Sequence, residues 1–164
     1  MTRVQLTAAA FALMFSGLTA GPAPAQAQAP RSSSSQEGQD ILNYPLTLTR
    51  ANQLISAVDA MTKYLVSLPN FQDRLINSMK MSAAERSAQL QADAKAMAIL
   101  KANGLTVHDY IVGVPSLRMA LMAAQAPADA PNLAVSPANL AFAKANLAQL
   151  KPKMDAADGI RAKK

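Results

Sequence analysis

Apolar residues recur at the 3.6-residue spacing of a helix, and this pattern constrains the fold more than any other feature of the chain. The clearest stretch runs from Thr49 to Pro69, with Leu54, Val58, Met61, Leu65 and Leu68 on one side. Such spacing makes an apolar stripe that a helix buries. After residue 27 the chain has no sustained alternation of apolar and polar residues and no hairpin dipeptide between β-branched runs. The sequence therefore predicts an all-α fold.

Helix-start and helix-stop residues divide the chain into segments. A hydroxyl or carboxylate side chain at a helix start satisfies free backbone N–H groups, proline costs nothing in the first turn, and glycine closes a helix. The third helix is expected to run from Ser82 to Asn103, and Lys151-Pro152 is expected to stop the last one. We predict a single-domain bundle of about five helices, with these structural caps: Ser82, Glu85, Gly104, Thr106, Asp109, Ser136 and Pro137.

The fourth predicted helix lacks a polar face. In the stretch "NGLTVHDYIVGVPSLRMALM", residues 103–122, apolar side chains fill both sides after the first turn. A helix of this kind is central in its fold or is covered by a partner. Pro115 removes one backbone hydrogen bond and is expected to kink the helix without ending it. We predict a kinked central helix, and a protein partner or homo-oligomer through its apolar surface.

The N-terminal residues are typical of an export signal. Arg3 precedes the apolar segment from Val4 to Leu18, and small-x-small cleavage sites follow at Ala25 and Ala27. We predict a signal peptide over 1–27, a flexible Ser-rich leader over 28–44, a helical domain over 45–151 and a basic, mobile tail over 152–164. The expected location is the periplasm or the outside of the cell. The chain contains no cysteine, which excludes disulfides and thiolate metal sites.

Charge narrows the classes of partner. The formal net charge is +6, and half of this excess falls in residues 151–164, where five basic residues accompany two acidic ones, Asp155 and Asp158. Without aromatic stacking groups or a recognition motif, this tail does not indicate nucleic-acid binding. Membrane association is expected only through an uncleaved signal or weakly through the basic tail.

The single histidine offers little for catalysis. His108 would occupy the second position of the fourth helix, and Ser116 would lie eight residues, or roughly 12 Å, further along the axis. The acidic residues Asp59, Asp73 and Asp93 are interpreted as solvated helix positions, and glycine-rich phosphate loops are absent. We predict no catalytic residue and no cofactor, and we favour a non-enzymatic protein.

Methionine gives the most specific chemical alternative. Met119 and Met122 are one turn apart on one side of the fourth helix, and thioethers are soft ligands that select Cu(I). His108 is too far along the axis to complete such a site, and methionine is also a common core residue. Cu(I) binding is kept as an alternative to packing.

Two resemblances to known protein families both indicate an exported helical protein. The segments "LKANGLTVHDYIVG" and "VSPANLAFAKANLAQL" resemble small exported α-helical proteins of Gram-negative bacteria, which implies a periplasmic helical protein and no particular activity. The segment "LTLTRANQLI" is similar to the Leu-Thr-x-x-Gln helix start of small periplasmic stress chaperones, although glutamine comes one position later, at Gln53. The predicted function is binding or assembly, with chaperone activity and Cu(I) binding as alternatives.

Overall fold

A computed structural model describes residues 33–127 and 134–159, with side chains from residue 36 onward. These residues form seven helices and no strand: α1 (Ser33–Asn43), α2 (Leu48–Val66), α3 (Phe71–Ser78), α4 (Ala83–Ala92), α5 (Ala94–Ala102), α6 (Val107–Gln125) and α7 (Pro137–Ala157). The all-α class is confirmed, whereas the count of five helices is wrong. The predicted signal peptide, the first residues of the predicted leader and the last five residues lie outside the described part.

The first additional helix, α1, lies within the stretch predicted to be a flexible leader. Its residues show no apolar period, but from Glu37 onward it is held by contacts with distant parts of the chain. Glu37 forms an ion pair with Arg86 of α4, Ile41 packs against the core, and Tyr44 directly after the helix is buried. The expectation of a leader over 28–44 is therefore corrected for residues 33–43, because tertiary contacts stabilise a helix that local sequence does not predict.

The second additional helix arises from a break at Asp93. This residue ends α4 and begins α5 with φ −96° and ψ 101°, outside the helical region. Its carboxylate accepts hydrogen bonds from the backbone N–H groups of Lys95 and Ala96. Asp93 was interpreted from the sequence as a solvated helix position; it is the N-cap of α5 instead.

The last helix continues past the predicted stop at Lys151-Pro152 and ends at Ala157. Pro152 has no N–H to donate to the preceding turn, yet Met154 and Ala157 beyond it are buried. Burial of these two side chains offsets the lost hydrogen bond. The boundary of the predicted tail at 152 is therefore wrong, and only residues 158 and 159 of the described chain follow the helix.

Helix α6 is central, as its apolar sequence predicts. It packs against α1, α2, α4, α5 and α7, most extensively against α7, and it remains one helix through Pro115. Neighbours on several sides explain why it has no polar face. The core is centred on four fully buried leucines from four helices: Leu54, Leu100, Leu117 and Leu150.

Candidate functional site

The side chains of His108, Asp109 and Tyr110, which stand together in the sequence, have three different environments. Asp109 belongs to the capping box of α6: the Thr106 N–H donates to its Oδ2 over 2.9 Å, and its own N–H donates to Thr106 Oγ1 over 3.0 Å. His108 is exposed at the surface. Tyr110 lines a cleft on another side of the helix. The sequence neighbours therefore do not form one reactive site.

Asp109 also joins distant parts of the fold. Tyr44 donates its phenolic O–H to Asp109 Oδ1 over 2.9 Å, and the Arg50 guanidinium lies 3.8 Å from Oδ2. Burial acts to raise the pKa of Asp109, but hydrogen bonds from Thr106 and Tyr44, together with Arg50, outweigh it, so the pKa is below its usual range. Burial and the bond to Asp109 raise the pKa of the Tyr44 phenol. Asp109 is thus an ionised structural group.

The other predicted caps lie at helix starts and ends. Ser82 and Glu85 form a capping box at α4, with the Ser82 N–H donating to Glu85 Oε2 over 2.7 Å. Gly104 has φ +65° between α5 and α6, a conformation that favours glycine. Ser136 accepts from the Asn139 N–H at the start of α7, and Pro137 occupies the first turn.

A buried amide that sequence reasoning missed connects three segments. The side chain of Asn139 donates to the Tyr44 carbonyl over 2.9 Å and to Ser116 Oγ over 3.3 Å, and it accepts from the Leu46 N–H over 3.3 Å. Asn139 and Ser116 are the buried polar residues of the described chain. Their hydrogen bonds satisfy groups that would otherwise be buried without partners, so the cluster is structural.

The two candidate copper ligands differ in exposure. Met122 has 58% of its surface exposed, whereas Met119 is half-buried and borders a small gap beside Ile41 and Val135. Within residues 33–127 and 134–159, no group of three or more histidine, aspartate or glutamate side chains could hold a metal ion. Cu(I) binding by Met119 and Met122 stays a prediction, and a competition titration with a Cu(I) chelator is its test.

A cleft of about 420 Å³ lies beside α6 in the described chain. A second depression, of about 770 Å³ and more open to solvent, is lined by residues that include Met97, Gly104 and His108; the more enclosed cleft beside α6 is the candidate site. It is bordered by the C-terminal half of α2, by α3, by α4, by the start of α5 and by one side of α6. Most of its lining is apolar: Met61, Leu65, Phe71, Leu75, Leu90, Ala96, Tyr110, Ile111, Val114 and Pro115. Burial raises the pKa of the Tyr110 phenol to about 12; the charge of Arg118 lowers this pKa by a smaller amount, and the charge of Asp158 raises it. The phenol is therefore neutral near pH 7.

Three arginines lie at the solvent-facing edge of this cleft. Arg74, Arg86 and Arg118 leave 32%, 34% and 44% of their side chains exposed. Each has an acidic neighbour: Asp93 for Arg74, Glu37 for Arg86, and Asp158 for Arg118. The cleft thus combines an apolar interior with guanidinium groups at its edge.

Helix α3 covers the cleft without being part of the core. None of its residues is buried, and its N-cap residue Asn70 makes no side-chain capping bond. Leu75 and Ile76 are about half exposed, and Met79 is 80% exposed. With so little apolar burial and no cap, α3 belongs to the least stabilised part of the described fold.

Sequence reasoning identified several of the lining residues as apolar but did not bring them together. The stripe of α2 and the apolar surface of α6 were expected to pack against other helices, and they do so along most of their length. Leu65 and Ile111 instead line the cleft together with residues of α3, which does not fill the space. No sequence pattern predicted this gap, because it depends on how closely a short helix approaches the core.

None of the helices in the described ranges is both long enough and apolar enough to cross a membrane. Comparison with protein families, curated proteins and solved structures finds no match to this chain.

Proposed function

We propose that this protein is a non-enzymatic binding protein that holds the apolar part of a small single-chain amphiphile in the cleft between α3 and α6. The enclosed cleft carries this proposal: its volume of about 420 Å³ falls within the range of small-molecule sites, roughly 300–1,000 Å³, and it is less open to solvent than the depression beside His108. Its mainly apolar lining and few polar groups at the edge also match such sites. The predicted export signal, which stays a prediction, would place this binding in the periplasm or outside the cell.

The side chains around the cleft favour binding over catalysis. The Asp93 carboxylate is engaged by two backbone N–H groups and by the Tyr64 hydroxyl. The Ser78 hydroxyl donates to the Leu75 carbonyl, and His108 does not line the cleft. A serine nucleophile therefore has no histidine within reach to act as its base.

The weakly held helix α3 supports entry of a ligand into this cleft. Because no residue of α3 is buried, moving it away breaks few apolar contacts, and a ligand that replaces those contacts stabilises the open arrangement. A chain entering the cleft would exchange water for contacts with side chains such as Leu65, Ile111 and Val114. Burial of each methylene contributes about 0.8 kcal/mol, so two further carbons should strengthen binding about tenfold until the cleft is full.

The proposal is tested with an uncharged, polarity-sensitive dye, N-phenyl-1-naphthylamine, and with its displacement by octan-1-ol, decan-1-ol and dodecan-1-ol. Leu65→Trp should fill the cleft and weaken dye binding about tenfold or more. Leu147→Trp is the matched control, since Leu147 is also a partly buried leucine against the core but does not line the cleft. Equal binding by the two variants, or no dependence on chain length, contradicts the proposal.

Chaperone activity is a second candidate, favoured by the exposed apolar side chains in α3 and directly beside it in the chain. Leu75, Ile76 and Met79 are exposed, as is Val66 at the end of α2. On α6 the large exposed apolar residue is Met122, so α3 and the residue after it expose more large apolar side chains to a partner or a second copy than α6 does. Suppression of client aggregation at stoichiometric ratios, lost in an Ile76→Ser and Met79→Ser double variant, supports this candidate. A monomer by sedimentation that protects none of several clients contradicts it.

A further inference from the structure

We propose that the ligand of the cleft is an acyl-chain carboxylate taken up from solution, and that Arg118 receives its head group by exchanging Asp158 for the ligand. This inference rests on the proposed function and adds the chemical class of the ligand. The first observation is charge: the side chains that line the cleft include three arginines and one acidic residue, Asp93. A carboxylate at this edge would meet guanidinium groups, whose planar N–H donors match carboxylate oxygens in pairs.

The three arginines differ in how firmly they are engaged. Arg86 donates to the Met81 carbonyl as well as to Glu37. The neighbour of Arg74, Asp93, lies 4.0 Å away and is already fixed as the cap of α5. Binding a ligand head group at Arg86 would break two interactions, and Arg74 lies on the weakly held helix α3. Both are therefore less suited than Arg118 to receive the head group.

Arg118 lies on a well-packed helix and has an ion-pair partner that a ligand can replace. It projects from α6, the central helix, between the buried residues Leu117 and Ala120 of that helix. One of its five N–H donors reaches the Asp158 carboxylate. Arg118 also lines the cleft, together with Val114 and Tyr110, which lie one and two turns earlier on α6. A ligand head at this edge therefore needs only a change of partner at one side chain.

The position of Asp158 favours this exchange. Asp158 is the C-cap residue of the 21-residue helix α7, where the negative end of the helix dipole destabilises a carboxylate. Pairing with Arg118 offsets that repulsion in the unliganded protein. A ligand carboxylate carries no such penalty, and Asp158, which is 27% exposed, can turn to water when it is displaced. The ion pair thus keeps Arg118 at the edge of the cleft until an anionic head replaces Asp158.

The test compares three probes with the same chain length: dodecanoate and dodecyltrimethylammonium below their micelle concentrations, and dodecan-1-ol below its solubility limit. Displacement of N-phenyl-1-naphthylamine and calorimetric titration report the affinities. We expect the wild-type protein to bind dodecanoate about tenfold or more tightly than dodecan-1-ol, because a charge-assisted bond adds to the same apolar burial. The cationic probe should bind most weakly.

Two substitutions at the ion pair should have opposite effects. Arg118→Met keeps the apolar stem, and we expect it to weaken dodecanoate binding about tenfold while dodecan-1-ol binding is unchanged. Asp158→Asn removes the competing charge and should strengthen dodecanoate binding several-fold; it keeps the proposal testable if Arg118→Met does not fold. Arg50→Met is the matched control: Arg50 also lies beside a carboxylate, Asp109, but does not line the cleft, so this substitution should leave the preference for dodecanoate in place.

The outcomes separate the two proposals. If the dye and dodecan-1-ol bind but dodecanoate has no advantage, the anionic ligand is wrong and the proposed function stands. If Arg86→Met removes the preference and Arg118→Met does not, the assignment to Arg118 is wrong. Arg118-dependent binding to phosphatidylglycerol vesicles, with no binding of free dodecanoate, also overturns the proposal, in favour of a membrane surface. If no probe binds the wild-type protein, the proposed function fails as well.

Discussion

Replacing Gly113 with alanine tests how tightly Tyr44 packs against α6. In an ordinary helix interior this substitution is favourable by about 1 kcal/mol, because glycine has the greater conformational freedom to lose. At Gly113, however, an added Cβ would lie 2.8 Å from Tyr44 Cε1 and Cζ and 3.0 Å from the phenolic oxygen. Carbon atoms in favourable contact are about 3.5 Å apart or more, so the ring would have to retreat by roughly 0.7 Å.

Two opposing contributions decide the sign of the change. Tyr44 is 7% exposed and its hydroxyl is bound to Asp109, so the ring has little room to move. Overpacking in a core costs about 1–3 kcal/mol, and weakening a hydrogen bond to a charged acceptor adds about 1 kcal/mol or more. After the helix-propensity gain is subtracted, we expect Gly113→Ala to lower the free energy of unfolding by about 2 kcal/mol.

Urea unfolding followed by far-ultraviolet circular dichroism measures this difference, and thermal unfolding should show a decrease in Tm of about 5–10 °C. Gly38→Ala is the matched control: Gly38 lies inside α1, and nothing stands within 4 Å of its added Cβ. It should stabilise the protein by up to about 1 kcal/mol. In a Tyr44→Leu background the penalty of Gly113→Ala should disappear. If Gly113→Ala stabilises the protein as much as Gly38→Ala does, the contact between Tyr44 and α6 is wrong.

Three further predictions concern the helix ends and the buried amide. The folded-state pKa of Asp109 is lowered, so its contribution to stability is fully present above the unfolded value of about 3.9 and is lost as the pH falls through that value toward the folded pKa. Below pH ~4 the free energy of unfolding, measured at a series of acidic pH values, should therefore decrease less in Asp109→Asn than in the wild-type protein. An equal decrease in both proteins contradicts this prediction. Asn139→Leu leaves the buried Leu46 N–H without its acceptor and should lower the free energy of unfolding by about 2–4 kcal/mol. Urea unfolding measures this difference, and a change within experimental error would show that the hydrogen bonds of Asn139 do not stabilise the fold. Pro152→Ala restores a backbone donor inside α7 and should stabilise by about 1–3 kcal/mol; a lower Tm would indicate that the helix ends before this residue.

The extent to which the cleft could be anticipated differs from one residue to the next. Tyr110, Ile111 and Val114 were recognisable as apolar positions of a helix, and their neighbours on that helix are buried against other helices. Whether these three side chains pack against a helix or line a gap depends on the distance between α3 and α6. The sequence of α3 does not predict that distance. Arg118 was recognisable only as an interruption of an apolar surface, because its partner Asp158 lies 40 residues away.

The sequence by itself determined the features that depend on neighbours within about four residues. The all-α class and the start of α4 at Ser82 and of α6 at Thr106 follow from local spacing, because a capping bond joins atoms three residues apart. Tertiary structure decided the rest: α1 is held by Glu37 and Arg86, 49 residues apart, and Tyr44 finds Asp109 across 65 residues. The continuation of α7 through Pro152 and the cleft under α3 have the same origin. Burial of distant side chains against one another contributes more free energy than a local signal, so local signals alone do not fix these features.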